Sequence, residues 1–211
     1  MLTSILILLA GSGVFIAGMN MLSDGLQRST GAEMKRLLGK ISNNRLAGVG
    51  VGAAVTGLIQ SSAATTVMVI GFVNAGAMTL LQAAPIIMGA NIGTTVTGLL
   101  VSLQSLNISD YMATLAFIGV MMTFFKKDVI KKIGAIICGL GLIFVGLDFM
   151  SGALSNPKMN AFFQKMFTTI EFPLLLIIFG ALFTALIQSS SAATGMIIMM
   201  VGTGAQWPPL R

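Results

Sequence analysis

Between Leu46 and Asn107 the chain runs for 62 residues without one ionisable side chain. About 20 apolar helical residues cross a hydrocarbon core roughly 30 Å thick, so this stretch is too long for one span. Glycines and polar groups interrupt it at Gln60-Ser61-Ser62 and at Gly89-Ala90-Asn91. The runs left between the breaks, about 11 to 16 residues each, have the length of half-helices and re-entrant segments. The composition agrees: 55% of the 211 residues are hydrophobic and 9% charged, against roughly 25% charged in a soluble domain. There is no His, and the single Cys, Cys138, lies in an apolar run. Zinc sites, Cys–His nucleophiles, His bases and disulfide frameworks therefore lack their residues, and the expectation is a protein that is not an enzyme. Twelve Lys and Arg against six Asp and Glu give a net charge of +6, spread over short segments and forming no single basic face. Nucleic acid is a poor partner for such a chain; a lipid bilayer is the expected one.

The expected fold class is an all-α membrane protein with inverted-topology repeats, broken helices and re-entrant hairpins. Leu2 to Ser23 reads as a retained first span. Residues 24–45 carry Arg28, Lys35, Arg36, Lys40 and Arg45, which makes this loop cytoplasmic, with a short interfacial helix from Ala32 to Ile41. A hairpin over 46–77 enters and leaves on the cytoplasmic side, and 79–104 is one broken crossing. Tyr111 to Phe125 returns to a second positive loop of Lys126, Lys127, Lys131 and Lys132. Ile133 to Met150 crosses outward, 151–171 is external, and a last uncharged run from Phe172 to Leu210 is broken at Gln188-Ser189-Ser190-Ser191. The chain thus reads as multi-pass in the cytoplasmic membrane.

Sliding the sequence along itself by 128 residues superimposes Val55–Ala77 on Phe183–Ala205, with 13 of 23 positions identical. At the same offset Gly11, Gly13, Gly18, Ser23 and Leu26 match Gly139, Gly141, Gly146, Ser151 and Leu154. The repeats are therefore 1–127 (span, interfacial helix, QSS hairpin, broken crossing, span) and 128–211 (span, external segment, QSSS hairpin). Three crossings separate the starts of the copies, and an odd number inverts the second. Inverted repeats with broken helices near the midplane are the pattern of alternating-access transporters. The counterpart of Gly89–Thr95 falls at 217–223, beyond Arg211, so the second repeat is expected to be incomplete.

Ser and Thr ahead of a half-helix cap its N-terminus. Ser61-Ser62 precedes Ala63–Ala75 and Ser190-Ser191 precedes Ala192–Thr203, so two helix N-termini point inward from opposite sides. This is an anion site built without cations. The preceding half-helices end at Gln60 and Gln188, whose carbonyls, with Ser and Thr hydroxyls, suit a small alkali cation. With no Lys or Arg in these stretches, a multiply charged anion needs co-bound cations to balance it, which couples its entry to sodium or a similar ion. No intramembrane acid or His offers a proton relay; Asp148 reads as interfacial. The anion-binding candidates are Gln60, Ser61, Ser62, Ala63, Gln188, Ser189, Ser190 and Ser191. The sodium candidates are Gln60, Ser61, Thr65, Thr66, Asn91, Thr94, Thr95, Gln188, Ser189 and Thr194. Gly11, Gly13, Gly18, Gly48, Gly50 and Gly52 read as close-packing surfaces.

At these residues the chain resembles the type II sodium-dependent phosphate cotransporters, including their bacterial members. The paired segments Gln60–Thr66 and Gln188–Thr194, together with Gly89-Ala-Asn-Ile-Gly-Thr-Thr95, carry the resemblance. It implies inorganic phosphate as the anion, Na+ as the coupling ion with no organic cofactor, QSS segments lining the site, and a homodimeric carrier whose hairpins move against a scaffold. One hydroxyl of the second motif, Ser191, is replaced by Ala63 in the first. The rival readings are a sodium symporter for another small anion such as a dicarboxylate, and a non-transporting membrane subunit that needs a partner.

Overall fold

A computed structural model describes residues 2–39, 44–106, 108–169 and 173–202, and among these residues all regular structure is helical. Three helical stretches, Leu2–Gly39, Leu80–Ser102 and Asp128–Leu154, are long and apolar enough to cross a membrane. The protein is an all-α membrane protein, and large apolar side chains such as Leu46, Leu81 and Leu186 stand exposed on it, as a lipid-facing surface allows.

The first helix, α1 (Leu2–Gly39), is continuous for 38 residues, about 57 Å at 1.5 Å per residue. The separate interfacial helix expected from Ala32 is thus, as far as Gly39, a prolongation of the first span. Its far half is held by packing: Met34 and Leu38 are buried against Val55, Ile59 and Val69. That tertiary contact keeps the helix intact beyond Arg28, where polarity alone suggested a new element.

Next come α2 (Arg45–Ile59) and α3 (Ser62–Asn74), separated by the Gln60-Ser61 break. Asn44 starts α2, its Oδ1 accepting from the amides of Leu46 at 3.0 Å and Ala47 at 3.3 Å. A capping box of Thr79 and Gln82 opens α4 (Leu80–Gly93), which a hinge at Thr94 joins to α5 (Thr95–Ser102). The interruption expected at Gly89-Ala90-Asn91 therefore falls later. Gly89 and Gly93 stay helical because they serve packing: a Cβ on Gly93 would lie 2.8 Å from Thr56 Cβ, and one on Gly89 2.9 Å from the Ala53 amide. At the hinge the Thr94 amide is shared between the carbonyls of Ala90 and Ile92.

After a 3-10 turn (103–106) come α6 (Ser109–Thr123), α7 (Asp128–Leu154), α8 (Pro157–Thr169), α9 (Pro173–Ile187) and α10 (Ser190–Gly202). The sequence reading of 151–171 as an external segment did not include the helix α8.

Glycine decides the scaffold. A Cβ on Gly18 would lie 2.8 Å from the Gly139 carbonyl and one on Gly139 2.7 Å from the Gly18 carbonyl; Gly11 and Gly146 face each other with 2.9 and 2.7 Å. Position rises along α1 as it falls along α7, so the two helices cross antiparallel. Adding 128 turns Gly11 into Gly139 and Gly18 into Gly146, so the repeat offset exchanges the two contacts. Lipid tails are as apolar as leucine, so such helices associate through van der Waals contact of approaching backbones, which a side chain would prevent. A second glycine-mediated contact joins α2 to α4, through Gly48, Gly52, Gly89 and Gly93. Gly13 and Gly50, grouped with these by sequence, have no neighbour within 4 Å of a Cβ and take no part.

Two buried clusters follow. One joins Phe15, Met19 and Leu22 of α1 to Ile143, Leu147 and Met150 of α7, Val101 of α5 and three residues of α10. The other gathers the end of α1 with α2, α3 and α4. The two QSS breaks meet between them.

Candidate functional site

The site begins with a backbone conformation. Gln60 and Gln188 each end a helix at φ 59°, and they are the non-glycine residues of positive φ among those described. A side chain in the left-handed region is disfavoured, and such outliers cluster at functional sites. At Gln60 the conformation is held from both ends of the amide. Its Nε2 donates to the Gly57 carbonyl, and its Oε1 accepts from Thr97 Oγ1 at 3.0 Å.

The left-handed turn lets the next helix start at once. Ser61 is extended, and its Oγ accepts from the Ala64 amide at 3.2 Å while its carbonyl accepts from Thr65. The second copy repeats this: Ser189 Oγ accepts from the Ala192 amide at 3.2 Å and its carbonyl from Ala193. Helix geometry then leaves the first amides of each half-helix, those of Ser62 and Ala63 and of Ser190 and Ser191, without an intrahelical acceptor.

Both starts face one cavity of about 190 Å³. It is bordered by Gln60, Ser61, Ser62 and Ala63 from the first break and by Gln188, Ser189, Ser190 and Ser191 from the second. All eight anion-binding candidates are thus brought together. Met19, Asn20 and Ser23 of α1 complete the border, and no charged residue belongs to it. The chemistry on offer is two helix N-termini with their partial positive charge, four free amides, serine hydroxyls and carboxamides. That set suits a small oxyanion. The carboxamide and hydroxyl oxygens can in turn accept a hard cation.

The ten sodium candidates divide. Gln60, Ser61, Gln188 and Ser189 border the cavity; Thr65, Thr66, Asn91, Thr94, Thr95 and Thr194 do not. The hydroxyl of Thr65 is buried behind the break, receiving a bond from Thr56 Oγ1 at 3.0 Å and donating to the Ser61 carbonyl at 3.1 Å. Thr94 and Thr95 turn their hydroxyls back onto Ala90 and Ile92, and Asn91 and Thr194 are exposed.

Sequence reasoning missed Asn20 and Ser23 at the cavity and Thr56 and Thr97 behind it. The first pair had a signal: two polar residues three apart toward the end of a mainly apolar span share one helix face, and polar groups inside a membrane are rarely idle. Thr97 had none, because its bond to Gln60 spans 37 residues.

A sequence profile of the family described as Na+/Pi-cotransporter matches residues 14–152. The uncharacterised protein YqeW of Bacillus subtilis (strain 168) is 31% identical over 194 residues, covering 90% of this chain and 61% of that protein. YjbB of Escherichia coli (strain K12), whose name provisionally assigns it inorganic phosphate export, is 29% identical over 203 residues, 95% of this chain and 37% of that protein. The sodium-dependent phosphate transport protein 2A of Mus musculus is 36% identical over 100 residues, 46% of this chain and 16% of that protein. The chain therefore spans less than two thirds of the length of each of these relatives. No solved structure matches it.

Proposed function

This chain belongs to the Na+/Pi-cotransporter family, and from that premise we propose that it forms the binding core of a sodium-coupled inorganic phosphate symporter of the cytoplasmic membrane. The observation that carries the reading is the convergence of both QSS breaks on one uncharged cavity. Phosphate sits between the N-termini of α3 and α10, taking the amides of Ser62, Ala63, Ser190 and Ser191 and the serine hydroxyls. Sodium sits on the oxygens of the same breaks, Gln60, Ser61, Gln188 and Ser189, close enough to offset the anion's charge. With no Lys or Arg at the cavity, each ligand lowers the electrostatic cost of the other, which makes their binding reciprocal.

The antiparallel α1–α7 crossing, whose glycine contacts the 128-residue offset exchanges, supports an inverted repeat, and with it alternating access of the cavity from the two sides. Thr65, Thr66, Asn91, Thr94, Thr95 and Thr194 enter this reading as sodium ligands only in another state of the carrier. A homodimer is the assembly that the family resemblance implies.

Radiolabelled phosphate binding to the purified protein tests the site. Binding in sodium chloride should exceed binding in choline chloride, and the Ser62→Ala/Ser190→Ala protein should bind about tenfold more weakly, the effect of losing roughly 1.4 kcal/mol of hydrogen bonding. Unchanged affinity in that protein, or binding indifferent to sodium, overturns the reading. Displacement by a dicarboxylate as readily as by phosphate assigns the cavity to another anion. For the inversion, single cysteines at Ser42 and Ser155 in a Cys138→Ala background should label from opposite sides of the membrane; labelling from one side refutes it.

A further inference from the structure

A second cavity, of about 280 Å³, opens between α1 and α7 at the end that carries the basic loops. Five charged residues border it: Asp24 and Arg28 from α1, and Asp128, Lys131 and Lys132 from α7. Asp24 and Arg28 stand one helical turn apart, as do Asp128 and Lys132, a spacing at which opposite charges ordinarily pair. Among the described residues no ion pair joins any of the five; both signs are left facing the cavity. Its remaining wall is apolar, Met21, Gly25 and Ala135, and beside it on α7 Val129 and Ile133 are 67% and 43% exposed.

The fold does not need these charges. At the repeat offset Asp24 and Arg28 correspond to Gly152 and Asn156, and Lys131 and Lys132 to Thr3 and Ser4. These four matching positions are therefore neutral. The preference for basic loops on the cytoplasmic side accounts for Arg28, Lys131 and Lys132 but not for two carboxylates turned to the same space. A free multivalent phosphate would meet Asp24 and Asp128, and a metal cation would meet the three bases. A zwitterion satisfies both sets, and the exposed apolar side chains alongside suit acyl chains.

We propose that this cavity holds the headgroup of a membrane phospholipid of the phosphoethanolamine type, its phosphodiester against Arg28, Lys131 and Lys132 and its ammonium against Asp24 and Asp128. The contact is independent of the anion cavity, with which it shares no lining residue.

Native mass spectrometry of the detergent-purified protein tests it, with phosphatidylethanolamine, phosphatidylglycerol and phosphatidylcholine of identical acyl chains and, separately, inorganic phosphate. Phosphatidylethanolamine should be retained about tenfold better than phosphatidylcholine, whose trimethylated amine has no N–H to give the carboxylates. Arg28→Gln/Lys132→Gln should lower that retention about tenfold, and Asp24→Asn/Asp128→Asn should remove the preference over phosphatidylcholine. The single variants Arg28→Gln and Asp24→Asn, each expected to act in the same direction, serve if a double variant does not fold. Equal retention of the three lipids, retention unchanged in the variants, or displacement of the lipid by inorganic phosphate overturns the proposal, the last assigning the cavity to free phosphate. Sodium-dependent phosphate binding at the QSS breaks should be unaffected by these substitutions, so failure here leaves the transport reading standing.

Discussion

Gln60 and Gln188 end their helices at the same φ of 59°, and the serine after each caps the following helix at the same 3.2 Å, yet their surroundings differ. Gln60 is 8% exposed, and α5 closes over it through Thr97. Gln188 is exposed, its Nε2 turned back onto its own helix at Ala185, 2.6 Å away. A break whose geometry survives two environments is set locally, by the Gln-Ser-Ser segment itself. What differs is how firmly the neighbours hold it.

The largest effect that could break this contrast comes from the glutamines. Gln60→Ala leaves the Thr97 hydroxyl buried without its acceptor and should destabilise the protein by about 2–3 kcal/mol. Gln188→Ala should stay within about 1 kcal/mol. Thermal unfolding in detergent reads both, and equal shifts would mean that α5 does not hold the first break. Next in size is Thr56→Val, which removes the buried bond to Thr65 and should cost about 1–2 kcal/mol. Its counterpart Thr184→Val should cost under about 0.5 kcal/mol, since Ala193 stands where the offset places Thr65 and has no hydroxyl to lose; a comparable loss would point to an unrecognised partner.

Ser61→Ala and Ser189→Ala sharpen the common part instead. Each removes one N-cap and should cost about 1 kcal/mol, alike in the two copies, with phosphate binding weakened in both. Last is Gln188→Gly, where glycine accepts the left-handed conformation freely. It should raise stability by about 0.5–1 kcal/mol while weakening sodium-dependent phosphate binding. A gain in stability with binding intact would mean that the strained glutamine is not kept for ligand contact.

Much of the site was legible because it is built from short-range chemistry. The positions of Gln60, Ser61, Gln188 and Ser189 at helix breaks follow from polar groups interrupting uncharged runs, and the repeat marks the two breaks as a pair. What escaped was longer in range. The sequence pattern places a break at Gly89-Ala90-Asn91, but Gly89 and Gly93 pack against α2 and keep α4 helical as far as Gly93. The continuity of α1 past Arg28 depends on Met34 and Leu38 meeting α2 and α3, contacts that no local pattern announces.

The sequence by itself determined a membrane-bound helical chain, two copies of one break, and stretches around both breaks that carry no charged side chain. These are matters of hydropathy, identity at a fixed offset and helix-end chemistry, all readable within a few turns of helix. Only the tertiary structure decided that the two breaks share one cavity, that Asn20 and Ser23 border it, and that Thr97 closes behind Gln60. Those facts depend on which backbones approach closely enough to touch. In a lipid solvent that offers helices no hydrophobic reason to associate, the answer lies in the fit of glycine faces such as Gly18 on Gly139.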